Sequence, residues 1–242
     1  MSGGKDVPGS SGVPARPAGL QDVPAQRASP VGRARKGPGG ALNPDLFLYF
    51  PTMRDETVLP GYCGASAGHP LHGPYHDHEY GFPVRDDDRL FERLVLEINQ
   101  AGLSWLTILK KRASFRRAYR EFRVSEVAAF GADDRTRLLL DPGIVRNRLK
   151  VDAAISNART LLRLKDSHGS FAAWLDHHHP MTRSEWVRLF KKTFRFTGGE
   201  ITGEFLISTG YLPGAHAPEC PVHQQILEMS PPWLLSEPRR GE

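Results

Sequence analysis

Long hydrophobic runs are missing from this 242-residue chain. No stretch approaches the roughly 20 apolar residues of a membrane-spanning helix, so no membrane span is expected. Cysteine is scarce as well, with only Cys63 and Cys220, which does not describe a disulfide-stapled secreted scaffold. The first residues lead into Gly, Pro and Arg without an apolar segment, so a secretory signal is not expected and a cytoplasmic protein follows. Period-2 alternation is sparse, which argues against sheets. No Walker loop, dinucleotide fingerprint or nucleophilic Ser–His–acid pattern is visible.

What remains is an ordinary polar composition with a basic tilt. Hydrophobic residues make up 39% and the formal net charge is +5, with a mean hydropathy of -0.41 and a pI near 9.4. That excess is compatible with nucleic acid without demanding it.

Residues 1–44 are dominated by Gly, Pro, Ser, Ala and isolated Arg. Burial there could not repay the entropy of ordering, so a disordered tail is expected, with Arg33, Arg35 and Lys36 as a small basic cluster. Residues 45–60 read as a docking or linker segment around Leu46–Phe50. An all-α domain is expected over 61–225 and a C-terminal tail over 226–242. Asp86–Asp88 precede the stripe Leu90, Phe91, Leu94, Val95, Ile98 and Ala101, the spacing of an amphipathic helix ended by Gly102. Ser104 caps the next helix. Ser125 opens a short one closed by Gly131, and Asp133 or Asp134 opens another that ends at Asp141-Pro142-Gly143. A long helix follows through Ile144, Val151, Ile155, Ala158 and Leu162. Later helices are expected near Ser170, Ser184 and Gly199.

Each cysteine stands beside a histidine: Cys63-x12-His76 near the start of the expected domain, His216-x3-Cys220 near its end. Two thiolates and two imidazoles suit a tetrahedral Zn²⁺. A Cys63–Cys220 disulfide and two unrelated buried thiols are the competing readings. Glu97 lies three residues after Leu94 and four before Ala101, at the border of its helix's apolar stripe. Its head either reaches solvent or lines a pocket in which a carboxylate needs a partner. Tyr75, Tyr80, Trp105 and the histidines His69, His72 and His78 crowd the neighbouring sequence, as in a pocket that stacks on a planar ligand; aromatic core is the plainer alternative. Asp141–Arg148 forms a Pro-Gly turn ahead of a helix N-terminus, either a place where an anion such as a phosphate is favoured beside Arg146 and Arg148 or an ordinary Pro-Gly helix connection. Lys110, Lys111, Arg112, Arg116 and Arg117 read as a solvated helix face.

Taken together these segments resemble the DNA-3-methyladenine glycosylase I family. Tyr75-His76-Asp77-His78-Glu79-Tyr80-Gly81 is similar to its YHDxEWG signature. Leu96-Glu97 through Gln100-Ala101-Gly102-Leu103-Ser104-Trp105 to Arg112 is similar to its LExxQAGLSWxTxLKKR segment. Phe194–Gly198 resembles its FKFVG motif, and Gly210 through His216 to Cys220 its closing zinc half. The resemblance spans roughly residues 61–220 in order.

It implies an all-α helix-hairpin-helix DNA glycosylase fold in which Cys63, His76, His216 and Cys220 hold one structural zinc joining the two ends of the domain. It implies Glu97 as the acid facing the flipped, alkylated base, and Tyr75 and Trp105 as pocket walls, with Tyr80 and His72 also at the pocket. The hairpin residues Gly143, Val145, Arg146 and Arg148 are expected at the DNA backbone. The expected activity is monofunctional excision of 3-methyladenine from double-stranded DNA in base excision repair, by a monomer that releases the free base. Ala65 and His72 stand where the family has Trp and Tyr, and Tyr80 where the signature has Trp, which leaves a thinner aromatic rim. A non-catalytic zinc-stabilised module that binds DNA or senses alkyl lesions, and a glycosylase for another alkylated purine, are the alternatives. Asp166 lies near the position of a sugar-stabilising acid in related folds, but its setting reads as a surface loop. Lys150 reads as a phosphate contact at most, so no strand-nicking lyase is expected.

Overall fold

Local capping and a buried stripe set the central helix of the fold. Asp86 Oδ1 accepts from the Arg89 amide at 2.8 Å, Asp87 and Asp88 occupy the first turn, and α3 runs over Asp87–Gln100. Carboxylates at a helix start satisfy orphan amides and complement the macrodipole. The chain leaves α3 at Gly102, whose φ of 84° is a left-handed conformation that glycine adopts without steric cost. Leu90, Phe91, Leu94, Val95 and Ile98 are all fully buried.

The computed structural model describes residues 59–235. The tail expected over 1–44, with its basic cluster, and positions 45–58 of the expected linker lie outside the described residues. Within them α1 (Gly61–Ser66) and α2 (His72–His78) precede α3, and α4 (Trp105–Ala118) follows it. Then come α5 (Val124–Ala128), α6 (Ala132–Leu140), α7 (Arg148–His168), α8 (Phe171–His178), α9 (Arg183–Thr193), α10 (Gly199–Ser208) and α11 (Pro221–Glu228). No strand occurs among the described residues. The architecture is all-α, as expected. Helix α3 packs against α4, α5, α7, α8 and α10, so it is the axis of the core.

Several boundaries move for identifiable reasons. Ser104 and Ser170 cap α4 and α8 as expected. Helix α5 starts at Val124 because Asp88, from the first turn of α3, accepts its amide hydrogen bond at 2.8 Å. Thr182, rather than Ser184, caps α9, with Glu185 reaching back to the Thr182 amide at 2.8 Å. The long helix begins at Arg148, where Asn147 accepts from the Lys150 amide at 3.2 Å; Ile144 is buried within the turn. Asp166 lies in the last turns of α7 and is exposed, so that stretch is helix and not loop. At the far end α11 crosses position 225, Ile226 is buried, and the Trp233 amide donates to the Gly210 carbonyl at 3.3 Å. The ordered chain therefore continues past the expected 225 boundary.

Two apolar clusters of unequal size result. The large one fills the space around α3 with Phe91, Phe115, Trp174, Trp186, Phe190 and Phe205. The small one holds Cys63, Cys220, Val222 and Ile226 and brings the two ends of the described chain together. So little apolar surface cannot by itself hold chain ends against their conformational entropy.

A Cys2His2 clip beside a pocket with a buried acid

Cys63, His76, His216 and Cys220 are all buried, and their ligating atoms lie within 4.8 Å of one another. His216 Nδ1 is 3.0 Å from His76 Nε2 and 3.8 Å from Cys63 Sγ. Cys220 Sγ is 3.7 Å from each imidazole. Metal bonds of about 2.0–2.3 Å at tetrahedral angles separate ligand atoms by roughly 3.3–3.8 Å. The three sulfur–imidazole distances fall in that range, and the two imidazoles stand slightly closer. Two thiols with two imidazoles are the donor set that suits Zn²⁺. The outer contacts fit as well. His76 Nδ1 pairs with Asp77 Oδ1 at 2.7 Å, and His216 Nε2 with the Tyr80 carbonyl at 2.8 Å. Donation through those nitrogens turns the lone pair of the other nitrogen in each ring to the centre. The Ala217 amide donates to Cys63 Sγ at 3.4 Å, which favours a thiolate. Both cysteines are free, which removes the disulfide reading. The four side chains form a buried cluster able to hold a metal ion.

The same helix that carries His76 carries Tyr75, whose ring faces Trp105 at 5.1 Å and Tyr80 at 5.7 Å between centroids. Arg93 of α3 lies over the Tyr75 ring at 4.8 Å and donates to Glu79 at 2.5 Å. Glu79 also takes two hydrogen bonds from Arg112, at 2.6 and 2.8 Å. Burial pushes the Glu79 carboxyl up, but Arg112 and Arg93 outweigh it and hold the group below its usual value. Arg112 and Arg116 extend the network to buried Glu92. Within the basic stretch of α4, Arg112 and Arg116 therefore form a brace between α2, α3 and α4 instead of the solvated face expected, whereas Lys110 and Arg117 are exposed as expected.

Glu97 is 4% exposed, which excludes the solvent-reaching alternative. No hydrogen bond reaches its carboxyl among the described residues. Burial, reinforced by Glu204 and partly offset by Arg93, pushes its pKa up to about 8. The Tyr75 hydroxyl and the Trp105 indole N–H are buried without hydrogen-bond partners. Buried polar groups are nearly always satisfied, so a buried acid and two idle polar atoms on touching rings mark a place for a ligand.

His72 lies at the margin of this group, its Nδ1 3.0 Å from the Tyr62 hydroxyl. Tyr62 also meets His76 at 5.8 Å and Tyr80 at 5.4 Å. Sequence reasoning missed Tyr62; an aromatic residue adjacent to a ligating cysteine was the available signal. It also missed Glu204, whose Oε2 accepts from the Tyr80 hydroxyl at 3.3 Å.

The turn between α6 and α7 is pinned to α4. Lys111 Nζ donates to the Pro142 and Gly143 carbonyls at 2.9 and 3.3 Å. The Gly143 amide donates to Asp141 Oδ1 at 2.7 Å, and a Cβ at Gly143 would lie 2.9 Å from the Ser114 Cβ. Gly143 thus serves close packing, and its amide is already engaged. The amides of Val145 and Arg146 carry no hydrogen bond among the described residues, and Arg146 and Arg148 are exposed. Lys150 is not a phosphate contact: it is 5% exposed, and its ammonium donates to the Asn99 and Ala101 carbonyls at 2.9 and 2.6 Å, closing the C-terminal end of α3.

The described residues thus form an all-α domain with a buried Cys2His2 cluster able to hold a metal ion and a buried acid near a group of aromatic rings, and comparison with known proteins supplies the family. A methyladenine glycosylase family model matches residues 65–193, and the chain belongs to that family. It is 35% identical to DNA-3-methyladenine glycosylase 1 of Escherichia coli over 61% of this chain and 89% of the relative. It is 32% identical to the DNA-3-methyladenine glycosylase of Haemophilus influenzae, again over 61% and 89%. It also superposes on the 3-methyladenine DNA glycosylase I of Staphylococcus aureus, solved for 3-methyladenine recognition, with a TM-score of 0.61 and 31% identity over 66% of this chain and 95% of that one.

Proposed function

We propose that this protein is a monofunctional DNA N-glycosylase that flips 3-methyladenine out of alkylated double-stranded DNA and hydrolyses its bond to the sugar. The observation that carries the reading is Glu97, buried without a hydrogen bond and near enough to Tyr75, which packs on Trp105, for its charge to oppose ionisation of that phenol. A protein that binds only the DNA backbone has no use for that costly arrangement. The names of the relatives point the same way.

Methylation at N3 fixes a positive charge on adenine and makes it a good leaving group. Flipping costs a few kcal/mol and least for a poorly stacked, damaged base, so selection begins at that step. Tyr75 and Trp105 would hold the cationic ring with roughly 0.5–2 kcal/mol each of cation–π attraction. Glu97 would accept from the exocyclic amine, and the cation draws its carboxyl to the ionised form. As the C1′–N9 bond breaks, its electron pair neutralises the departing base. Water adds to C1′ and gives its proton to solvent. The carboxylate stabilises the ground-state cation too, so it serves selectivity first.

The amides of Val145 and Arg146 and the side chains of Arg146 and Arg148 would receive phosphates at the start of α7. Cys63, His76, His216 and Cys220 would hold Zn²⁺; four protein ligands leave it a structural role. Lys150, committed to two carbonyls, has no part in imine chemistry. The deciding assay is release of free base from methylated DNA by wild type and Glu97→Gln, the variant being expected to lose at least tenfold in kcat/KM. Release of no 3-methyladenine by the wild type overturns the reading.

A further inference from the structure

Helix α10 brings a second carboxylate to this pocket. Glu204 is half-buried and stands three residues after Ile201 and four before Ser208, both buried, so it borders the face of α10 that packs on α3. Its hydrogen-bond partner is the Tyr80 hydroxyl, and Tyr80 is a ring of the pocket, 5.7 Å from Tyr75. Its negative charge is felt at Glu97, where it adds to burial in opposing ionisation. No ion pair among the described residues neutralises Glu204, although Arg183 on α9 pairs with Glu200 one turn earlier on the same helix. Two carboxyl groups thus lie close enough to affect each other beside the Tyr75–Tyr80 rings. Arg93, the cation that partly offsets the cost at Glu97, is already committed to Glu79.

We propose that Glu204, oriented by Tyr80, is a second specificity-determining acid of the base pocket and selects purines bearing a positive charge over neutral purines of the same shape. This rests on the glycosylase reading. Tyr80 holds the carboxylate in place, and the base supplies the missing counter-charge. A unit negative charge about 6–8 Å from a cation, in a medium of effective dielectric near 20, shifts affinity by roughly thirtyfold to a hundredfold. A neutral purine feels no such pull, so the charge discriminates by itself. A merely structural Glu204 would need only its acceptor oxygen, which glutamine retains.

The test is equilibrium binding of 3,9-dimethyladeninium, a permanent cation, and neutral 9-methyladenine to the zinc-loaded full chain, followed by tryptophan fluorescence. Glu204→Gln is expected to weaken cation binding at least tenfold while neutral binding stays within twofold. Glu204→Asp should recover part of the loss. Tyr80→Phe, which keeps the charge and removes its tether, should lose less than Glu204→Gln. If Glu204→Gln fails to fold, Glu204→Ser provides the same ratio. An unchanged cation-to-neutral ratio, or equal losses for both probes, overturns the proposal. Failure of the glycosylase reading shows separately, as a wild type that prefers the cationic probe yet frees no base from methylated DNA.

Discussion

Glu97→Gln should stabilise the empty protein, and the gain should grow with pH. The carboxyl has a folded value of about 8 against a reference of 4.5, so between those values the folded state holds more protons than the unfolded one. Stability from this group is complete below about 4.5 and is lost as pH rises through 8. At about 1.4 kcal/mol per pH unit, the whole loss is on the order of 5 kcal/mol, of which roughly 3–4 kcal/mol falls between pH 5 and pH 8. Glutamine keeps the shape and cannot ionise, so the difference between wild type and variant isolates the carboxyl. Urea unfolding of the zinc-loaded proteins at each pH from 5 to 9 should show that difference widening by a few kcal/mol. In thermal melts it is on the order of 10 °C for a chain of this size. A pH-independent difference, or a variant less stable than wild type at pH 8, would refute the account of Glu97 as an acid buried without a partner.

Zinc removal by a chelator, or Cys220→Ser, should lower the melting temperature and expose the small end cluster; a fully folded, zinc-free protein that has lost activity would count against the structural role. Trp105→Phe keeps a ring and removes the idle N–H, so kcat/KM should fall about three- to tenfold, one ordinary hydrogen bond's worth; no change would mean that the indole N–H meets no ligand. Arg146→Ala should reduce the slope of log affinity against log salt by about 1 for any DNA sequence; an unaltered slope would place Arg146 away from phosphate. Wild type should form no borohydride-trapped adduct with abasic DNA, and such an adduct would overturn the assignment of Lys150 to carbonyl capping.

What was legible in the sequence was mostly local. The caps at Asp86, Ser104 and Ser170 and the stripe of α3 could be read because capping and periodicity need only neighbouring residues. The start of α5 could not, because the group that satisfies Val124 comes from Asp88 on another helix. The four metal-type ligands were conspicuous as the only cysteines with adjacent histidines. Glu97 was found by its place at the edge of an apolar stripe, and the same argument applied to Glu204 would have found it too; α10 was read only as a helix beginning near Gly199. The brace of Arg93, Arg112, Glu79 and Glu92 was hidden because charge spacing on one helix says nothing of carboxylates arriving from two others.

Lys150 couples two tasks that might have been separate. It belongs to the helix that follows the α6–α7 turn, yet its ammonium is fastened to the end of the helix carrying Glu97. On the proposed reading, grip and inspection would be parts of one stiff frame. Glu97 would keep a fixed offset from any phosphate held at that turn, like a stylus on a rigid arm. The nucleotide, not the protein, would then have to swing to be read.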